Sequence, residues 1–462
     1  MTLSRERAKR KLLLIHPSAS AGTAGFGQTA SWGLPPLALA YVAAVTPADT
    51  WEVVLVDEYD APADQEMKAD LVGISTYSCN ILRAYELAAG FRRRGIPVVL
   101  GGIHASMLPD EAAPYADSVV IGEAESVWPQ VLKDVEEGKL QPRYEGGHPS
   151  LAGLPLPRRD LFGSRYAMDV IQTTRGCPFG CEFCSVTAFN GASYRQRPVQ
   201  EVLDELGSIS KKLVYFVDDN FFGSLDEHRE RALQLCRGMI ERKMRKIWIT
   251  QASLNIADHE DVLRLAYQSG CRGLYLGFEA LNASTLKAMR KAPNIKLGLD
   301  GMKRAVERIH RNGMCVIGAF IFGHDTDDGS VFEQTRAFIE ACPVDVPQFG
   351  YLTPFPGTRL LSRLQSEDRL IYKTFPPDWA YADTDHILFK PAALDLVEWV
   401  RGFDYVVRNV FSRRRLLWRA LRTFGLTRNI VSAVLAYQMN RDSVSFYDHD
   451  QYFKLRARKT ES

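Results

Sequence analysis

Two successive series of strand-like apolar runs, each alternating with helical patterns, constrain the fold of this chain more than any other feature. The first series is "KLLLIH", "WEVVLVDE", "ADLVGIST", "PVVLGG" and "DSVVIG". Between these runs lie "PPLALAYVAAV" and "ILRAYELAAGFRRRG", with apolar residues at helical spacing. A strand that is apolar on both faces must be covered on both faces. The alternation therefore predicts a parallel sheet between two helical layers, a Rossmann-like or flavodoxin-like domain. The stretch "EGGHPSLAGLPLPRRDLFGSRYAM" is rich in Gly and Pro, lacks periodicity and reads as a linker.

The second series is "DVIQTTR", "LVYFVDD", "KIWITQAS", "GLYLGFEA", "CVIGAFIFG" and "VPQFGYLTPF". Helical patterns such as "VQEVLDELGSIS" and "EDVLRLAYQSG" separate them. Six strand–helix repeats predict a (β/α)6 partial TIM barrel, whose site lies at the C-terminal ends of its strands. The α/β organisation expected is a first domain over 1–145, a linker over 146–168, the partial barrel over 169–364 and a mostly helical C-terminal region over 365–462.

The 462 residues suffice for two or three domains with large cores. Apolar and charged fractions of 46% and 24% are those of an ordinary globular chain, and a net charge of +2 gives no polyanion-binding character. Eight cysteines in so long a chain do not make a secreted disulfide scaffold. After the basic start, "LLLI" is too short for a signal peptide, and no run reaches the roughly 20 apolar residues of a membrane span. The expectation is a cytoplasmic protein with reduced thiols.

The stretch "TTRGCPFGCEFCSV" places Cys177, Cys181 and Cys184 on one loop after the first barrel strand. Three thiolates at a barrel mouth suit an iron–sulfur cluster with one iron left for another ligand. Zinc would take a fourth Cys or His nearby, and the loop has none. Gly176 and Gly180 let the loop curl, while Pro178 limits its conformations.

This loop resembles the cluster-binding loop of the radical S-adenosylmethionine (SAM) enzymes. The resemblance implies that Cys177, Cys181 and Cys184 hold a 4Fe-4S cluster. In that family SAM chelates the open iron and is cleaved to a 5'-deoxyadenosyl radical. It also implies SAM contacts at the strand ends: Asp218, Asp219 and Asn220 in "YFVDDNFF", Ser253 and Asn255 in "ITQASLN", and Glu279 in "GLYLGFEA". Phe183 matches an aromatic beside the adenine, and "GAFIFGHD" loosely matches a Gly-rich fifth strand through Gly318 and Gly323. Acidic residues at such positions serve equally well as helix N-caps.

In the first domain, "HPSASAG", "STYSCN", "GGIHAS" and "GEAES" follow strands, where open parallel sheets bind ligands. The segments "GLPPLALAYVAA", "GGIHASMLPDEA" and "VVIGEAES" resemble the cobalamin-binding domain of the B12-dependent radical SAM class. The implied cobalamin contacts are Ser75, Thr76, Tyr77, Gly101, Gly102, His104, Gly122 and Glu123. The pair Gly101–Gly102 would let a flat ligand approach the backbone. The D-x-H-x-x-G motif is absent, so no cobalt-ligating histidine is assigned. His104 reads more simply as a loop histidine bonded to a backbone carbonyl. A dinucleotide site would need G-x-G-x-x-G after the first strand, and "HPSASAGTAGFGQ" lacks it.

The resemblance implies a cobalamin-dependent radical SAM methyltransferase acting on an unactivated carbon, with methylcobalamin as the methyl source. An oxidative cyclase or ring-rearranging enzyme with the same cofactors is the alternative, and a non-catalytic B12-binding regulator is a reading from another class. The expected partners are a small molecule, lipid-like or tetrapyrrole, and an electron donor of the flavodoxin or ferredoxin type. Substrate, oligomeric state and the lower cobalt face are left open.

Proline-rich loops carrying Trp379, Tyr381 and His386 are candidates to cover the barrel mouth. The segment "VVRNVFSRRRLLWRALRTFGLTRNIVSAVLAYQMN" is basic and amphipathic. It fits a helix packed on the barrel with a solvated basic face, or one lying peripherally on an anionic inner-membrane surface. It carries no nucleic-acid-binding module, and no nucleic-acid partner is expected.

Overall fold

The computed structural model describes residues 8–19 and 33–447. Part of "HPSASAG", and the rest of the loop after the first strand, lie outside the described residues. The chain divides into two compact units. The first holds the early strands, residues 35–166 and the returning segment Thr374–Asp383. The second holds residues 167–373 and the chain from Thr384 onward.

Six parallel strands form the first sheet: β1 (Arg10–His16), β2 (Trp51–Asp57), β3 (Leu71–Ser75), β4 (Val98–Gly101), β5 (Ser118–Gly122) and β6 (Arg143–Gly147). Their order is β2-β1-β3-β4-β5-β6, the flavodoxin-like arrangement. The crossovers that leave β1 (to β2) and β3 (to β4) run in opposite directions, so the ends of these two strands flank a crevice at the switch point. The helix Ile81–Arg93 buries Ile81, Ala84, Leu87, Ala88 and Phe91 along one face and ends in Arg92 and Arg93, which suit its negative end. Trp51 and Trp128 close the opposite face with Leu12, Leu14, Val99 and Val120.

The strand β6 was not foreseen. It is a short edge strand, "RYEGG", exposed at alternate positions and rich in Gly, so it carries no apolar signal. The expected linker also packs onto the first unit as far as Tyr166. Arg158 donates its N–H to Ala40 O at 3.1 Å, and the Tyr166 hydroxyl donates to Asp57.

The second sheet holds six strands, all parallel and in simple sequential order. Its strands are β7 (Asp169–Ile171), β10 (Leu213–Phe216), β11 (Ile247–Ala252), β12 (Cys271–Glu279), β13 (Cys315–Phe322) and β14 (Val346–Tyr351). The order is that of an open six-stranded barrel. The expected strand "DVIQTTR" is interrupted. After β7 the chain turns off the sheet and pairs β8 (Thr174–Arg175) antiparallel with β9 (Arg195–Gln196), which closes the base of the cysteine loop. The helices Arg359–Ser366, Leu396–Val410, Arg413–Thr427 and Ile430–Tyr447 complete this unit.

Candidate active site

A cavity of about 370 Å³ opens at the C-terminal ends of the second sheet. Cys177, Cys181 and Cys184 all line it, with Phe183 between them. The thiols are half-buried or buried, and burial pushes the Cys181 thiol up to about 11. Among the described residues, no three His, Cys, Asp or Glu side chains converge on a single-ion site. A multi-iron cluster does not require that, because each thiolate meets a different iron.

Two aspartates at the end of β10 hold this loop. Asp218 is fully buried and accepts from Thr173 N at 2.5 Å, Thr173 Oγ1 at 2.6 Å and Thr174 N at 3.0 Å. Its carboxylate is thus spent on the backbone leading into the loop, and it does not line the cavity. Asp219 does line the cavity and accepts from Gly176 N at 2.8 Å. Burial pushes its carboxyl up to about 6, against the pull of that bond and of Arg175 and Arg195. Asn220 Nδ2 bridges Ser253 Oγ at 3.0 Å and Cys177 Sγ at 3.7 Å. Of the expected SAM contacts, Phe183, Asp219, Ser253 and Glu279 meet at the cavity wall. Asn255 lies behind it, donating to Gly223 O at 3.1 Å while its Oδ1 has no partner.

Glu279 reaches the wall through a bulge. The β12–β13 register slips between Gly277 and Glu279, and Glu279 sits at φ +63. A bulge re-aims a side chain, at the cost of a strained backbone. Lys291 Nζ donates to Glu279 Oε1 at 2.7 Å. Burial alone would lower the lysine pKa, but Glu279 and the neighbouring Cys181 outweigh it and raise it.

Gly318 and Gly323 are not on this wall. A Cβ on Gly318 would lie 2.7 Å from Val344 and 3.1 Å from Phe278. One on Gly323 would lie 2.0 Å from the Trp399 ring. Both glycines make room for packing behind the sheet. The residues between them, Ala319, Phe320 and Ile321, line the cavity instead.

Several lining residues escaped sequence reasoning: Lys291, Gln251, Tyr275, Gln348 and Asp385. The signal was there for three of them, since Gln251, Tyr275 and Gln348 are polar interruptions inside apolar strands. Trp379 and Tyr381 do not line this cavity. They belong to the segment that returns to the first unit. The adjoining Thr384 and Asp385 line the cavity instead.

In the first unit, the loops after β3 and β4 lock together. Gly102 has φ +94, and a Cβ there would lie 2.6 Å from Thr76 N and O. Thr76 Oγ1 donates to Gly101 O at 2.8 Å. The close approach that Gly102 permits is to the Thr76 backbone. His104 is buried with both ring nitrogens engaged, Nδ1 with Ser78 Oγ at 3.0 Å and Nε2 with Glu111 Oε1 at 3.2 Å. It has no nitrogen left for cobalt, and its partners are side chains, where a backbone carbonyl was expected. Gly122 abuts the Gly147 backbone, and Glu123 is buried with its N–H donating to Gly147 O at 3.1 Å. Tyr77 is exposed beside His16, which in turn meets Asp57 and the Tyr59 ring, near the β1–β3 crevice. Ser75 closes β3 next to it.

Residues 28–132 match the B12 binding domain, and residues 171–339 match the radical SAM superfamily. Bacteriochlorophyllide d C-12(1)-methyltransferase of Chlorobaculum tepidum is 30% identical over 429 residues, 90% of this chain and 90% of that protein. The chain belongs to the cobalamin-dependent radical SAM enzymes. Its cofactors are a 4Fe-4S cluster, SAM and cobalamin. The radical SAM match removes the non-catalytic regulator reading, and the B12 match removes the dinucleotide reading. Anaerobic magnesium-protoporphyrin IX monomethyl ester cyclase of Rubrivivax gelatinosus is 27% identical, covering 77% of this enzyme and 70% of its own length. The solved radical SAM methyltransferase TsrM of Kitasatospora setae, with cobalamin and a [4Fe-4S] cluster bound, superposes with a TM-score of 0.67. The match covers 96% of this chain and 99% of that one at 15% identity, a shared fold.

Proposed function

We propose that the enzyme is a C-methyltransferase that replaces hydrogen by methyl on an unactivated carbon of a tetrapyrrole-class substrate. The observation that carries this reading is end-to-end similarity to a bacteriochlorophyllide methyltransferase in a chain whose cavity is lined by three cysteines. Together the bound cofactors supply an adenosyl radical that removes the hydrogen and a methyl group that takes its place.

The donor set fits these groups. Cys177, Cys181 and Cys184 are the cluster ligands, and Asn220 is set to donate to the Cys177 sulfur. Asp219 is an acceptor for the SAM ammonium, and the Lys291–Glu279 pair offers both charges to its zwitterion. The apolar wall of Ala319, Phe320, Ile321 and Phe349 excludes water from the radical. Gln251, Tyr275 and Gln348 orient polar edges of the substrate. Cobalamin takes the β1–β3 crevice of the first unit, with Tyr77 at its rim. An external flavodoxin- or ferredoxin-type protein delivers the electron.

The test is anaerobic incubation with reductant, cobalamin, methyl-labelled SAM and chlorin or porphyrin acceptors. Label retained in a product one CH2 heavier supports methylation. Turnover that forms a ring without retained label would replace it by the cyclase reading, which the cyclase relative favours. The variant with all three cysteines changed to Ala is expected to lose the brown cluster absorbance and all turnover.

A further inference from the structure

Two helices, Arg413–Thr427 and Ile430–Tyr447, carry polar side chains on their packed face and large apolar side chains on their exposed face. The polar side chains share the packed face with Leu416, Leu435 and Ala436. On Arg413–Thr427, the Thr423 hydroxyl donates to Asp345 Oδ1 at 2.6 Å, and buried Arg419 donates to Asn440 Oδ1 at 2.6 Å. On Ile430–Tyr447, Ser432 Oγ donates to Gly313 O at 2.8 Å, and Asn440 Nδ2 donates to Asp345 O at 2.8 Å. The outward faces carry Leu417 (61% exposed), Trp418 (56%), Leu421 (63%), Phe424 (44%), Ile430 (64%) and Val434 (49%). The face expected to be basic and solvated carries exposed Arg414 and Arg428, and large apolar side chains between them.

Each stripe ends in arginine. The first runs from Arg414 through Leu417, Leu421 and Phe424 to Arg428, and the second from Ile430 through Val434 and Tyr437 to Arg441. No Asp or Glu occurs between Asp404 and Asp442. Arg422 lies over the Trp418 ring at 5.0 Å.

A single exposed Leu needs no explanation, but a run on two adjacent helices marks a docking surface. We infer that this face seats the enzyme on an anionic lipid surface, with the apolar stripes in the acyl boundary and the arginines at the phosphates. The charge rim decides between occupants. A second copy would place arginine against arginine across a two-fold axis, because an isologous interface repeats the same patch. Lipid phosphates complement the rim, and an amphipathic face with Trp and Arg suits the headgroup region. Neither helix is long and apolar enough to cross a membrane, so the contact is interfacial.

The test uses full-length reconstituted enzyme and sedimentation with vesicles of phosphatidylcholine alone or mixed with phosphatidylglycerol. Wild type is expected to pellet with the anionic vesicles. The L417S/L421S variant loses at least about tenfold in partitioning, since each leucine-sized side chain is worth that much on burial. It keeps its iron content and circular dichroism, because both residues point outward. The R414E/R428E variant loses the preference for phosphatidylglycerol. Absence of vesicle binding by wild type, or binding unchanged in L417S/L421S, overturns the inference. So does self-association, or capture of an acidic polypeptide, that depends on these leucines without lipid binding.

Discussion

Glu279 and Lys291 show how one cavity position can hold both strain and charge. The carboxylate is 9% exposed, the ammonium 13%, and they meet at 2.7 Å. Removing one partner strands the other in low dielectric. K291M is expected to cost about 3–5 kcal/mol, read from urea unfolding, and E279Q added to K291M is expected to recover most of the loss. His324 tests burial alone. Its Nε2 is buried without a partner, and burial pushes its pKa down to about 4 from 6.5. Between those values the unfolded chain binds a proton that the native state does not. Stability contributed at neutral pH is therefore lost as pH falls through this window. The stability of wild type minus that of H324Q is expected to drop by about 3 kcal/mol from pH 6.5 to pH 4.

The helix Arg359–Ser366 acts as a clasp on the cysteine loop. Leu360 N donates to Glu182 O at 3.2 Å, and Arg359 donates to Gly180 O at 2.5 Å. Arg363 spans Glu182 at 3.2 Å and Asp325 at 2.6 Å, joining the loop to the end of β13. A loop that must keep three thiolates in register needs such restraint, because its own backbone makes few regular bonds. R363A is expected to reconstitute but to lose cluster absorbance in air several times faster than wild type. R336A, which breaks exposed pairs with Glu333 and Glu340, is the matched control and is expected to change nothing.

The molecule holds two cores, and the chain returns to the first after building most of the second. Trp379 carries that return. It is buried, its Nε1 donates to Glu111 Oε2 at 2.9 Å, and its ring meets His104 edge-on at 5.5 Å. The same Glu111 accepts from the Tyr85 hydroxyl at 3.1 Å. W379A would open a cavity and strip one partner from Glu111. It is expected to destabilise the first unit by about 3–5 kcal/mol. In calorimetry the transition that cobalamin shifts moves down, while the other stays in place.

The strand–helix alternations were legible in sequence because apolar periodicity is a local consequence of covering each strand on both faces. The cysteine trio was legible because its ligands lie within one loop. The polar interruptions at Gln251, Tyr275 and Gln348 were equally readable, and they mark the face of each strand that turns toward the cavity. Other features depended on partners distant in the chain. Asp218 faces the backbone of Thr173 and Thr174 while Asp219 faces the cavity, and only packing distinguishes these adjacent carboxylates. Gly318 and Gly323 answer to Val344 and Trp399. The helices Arg413–Thr427 and Ile430–Tyr447 have the composition of ordinary amphipathic helices, and only the buried Asp345 and Gly313 O show which face turned inward. Residue spacing encodes which side chains share a face. Which neighbour covers that face is settled when the tertiary contacts close.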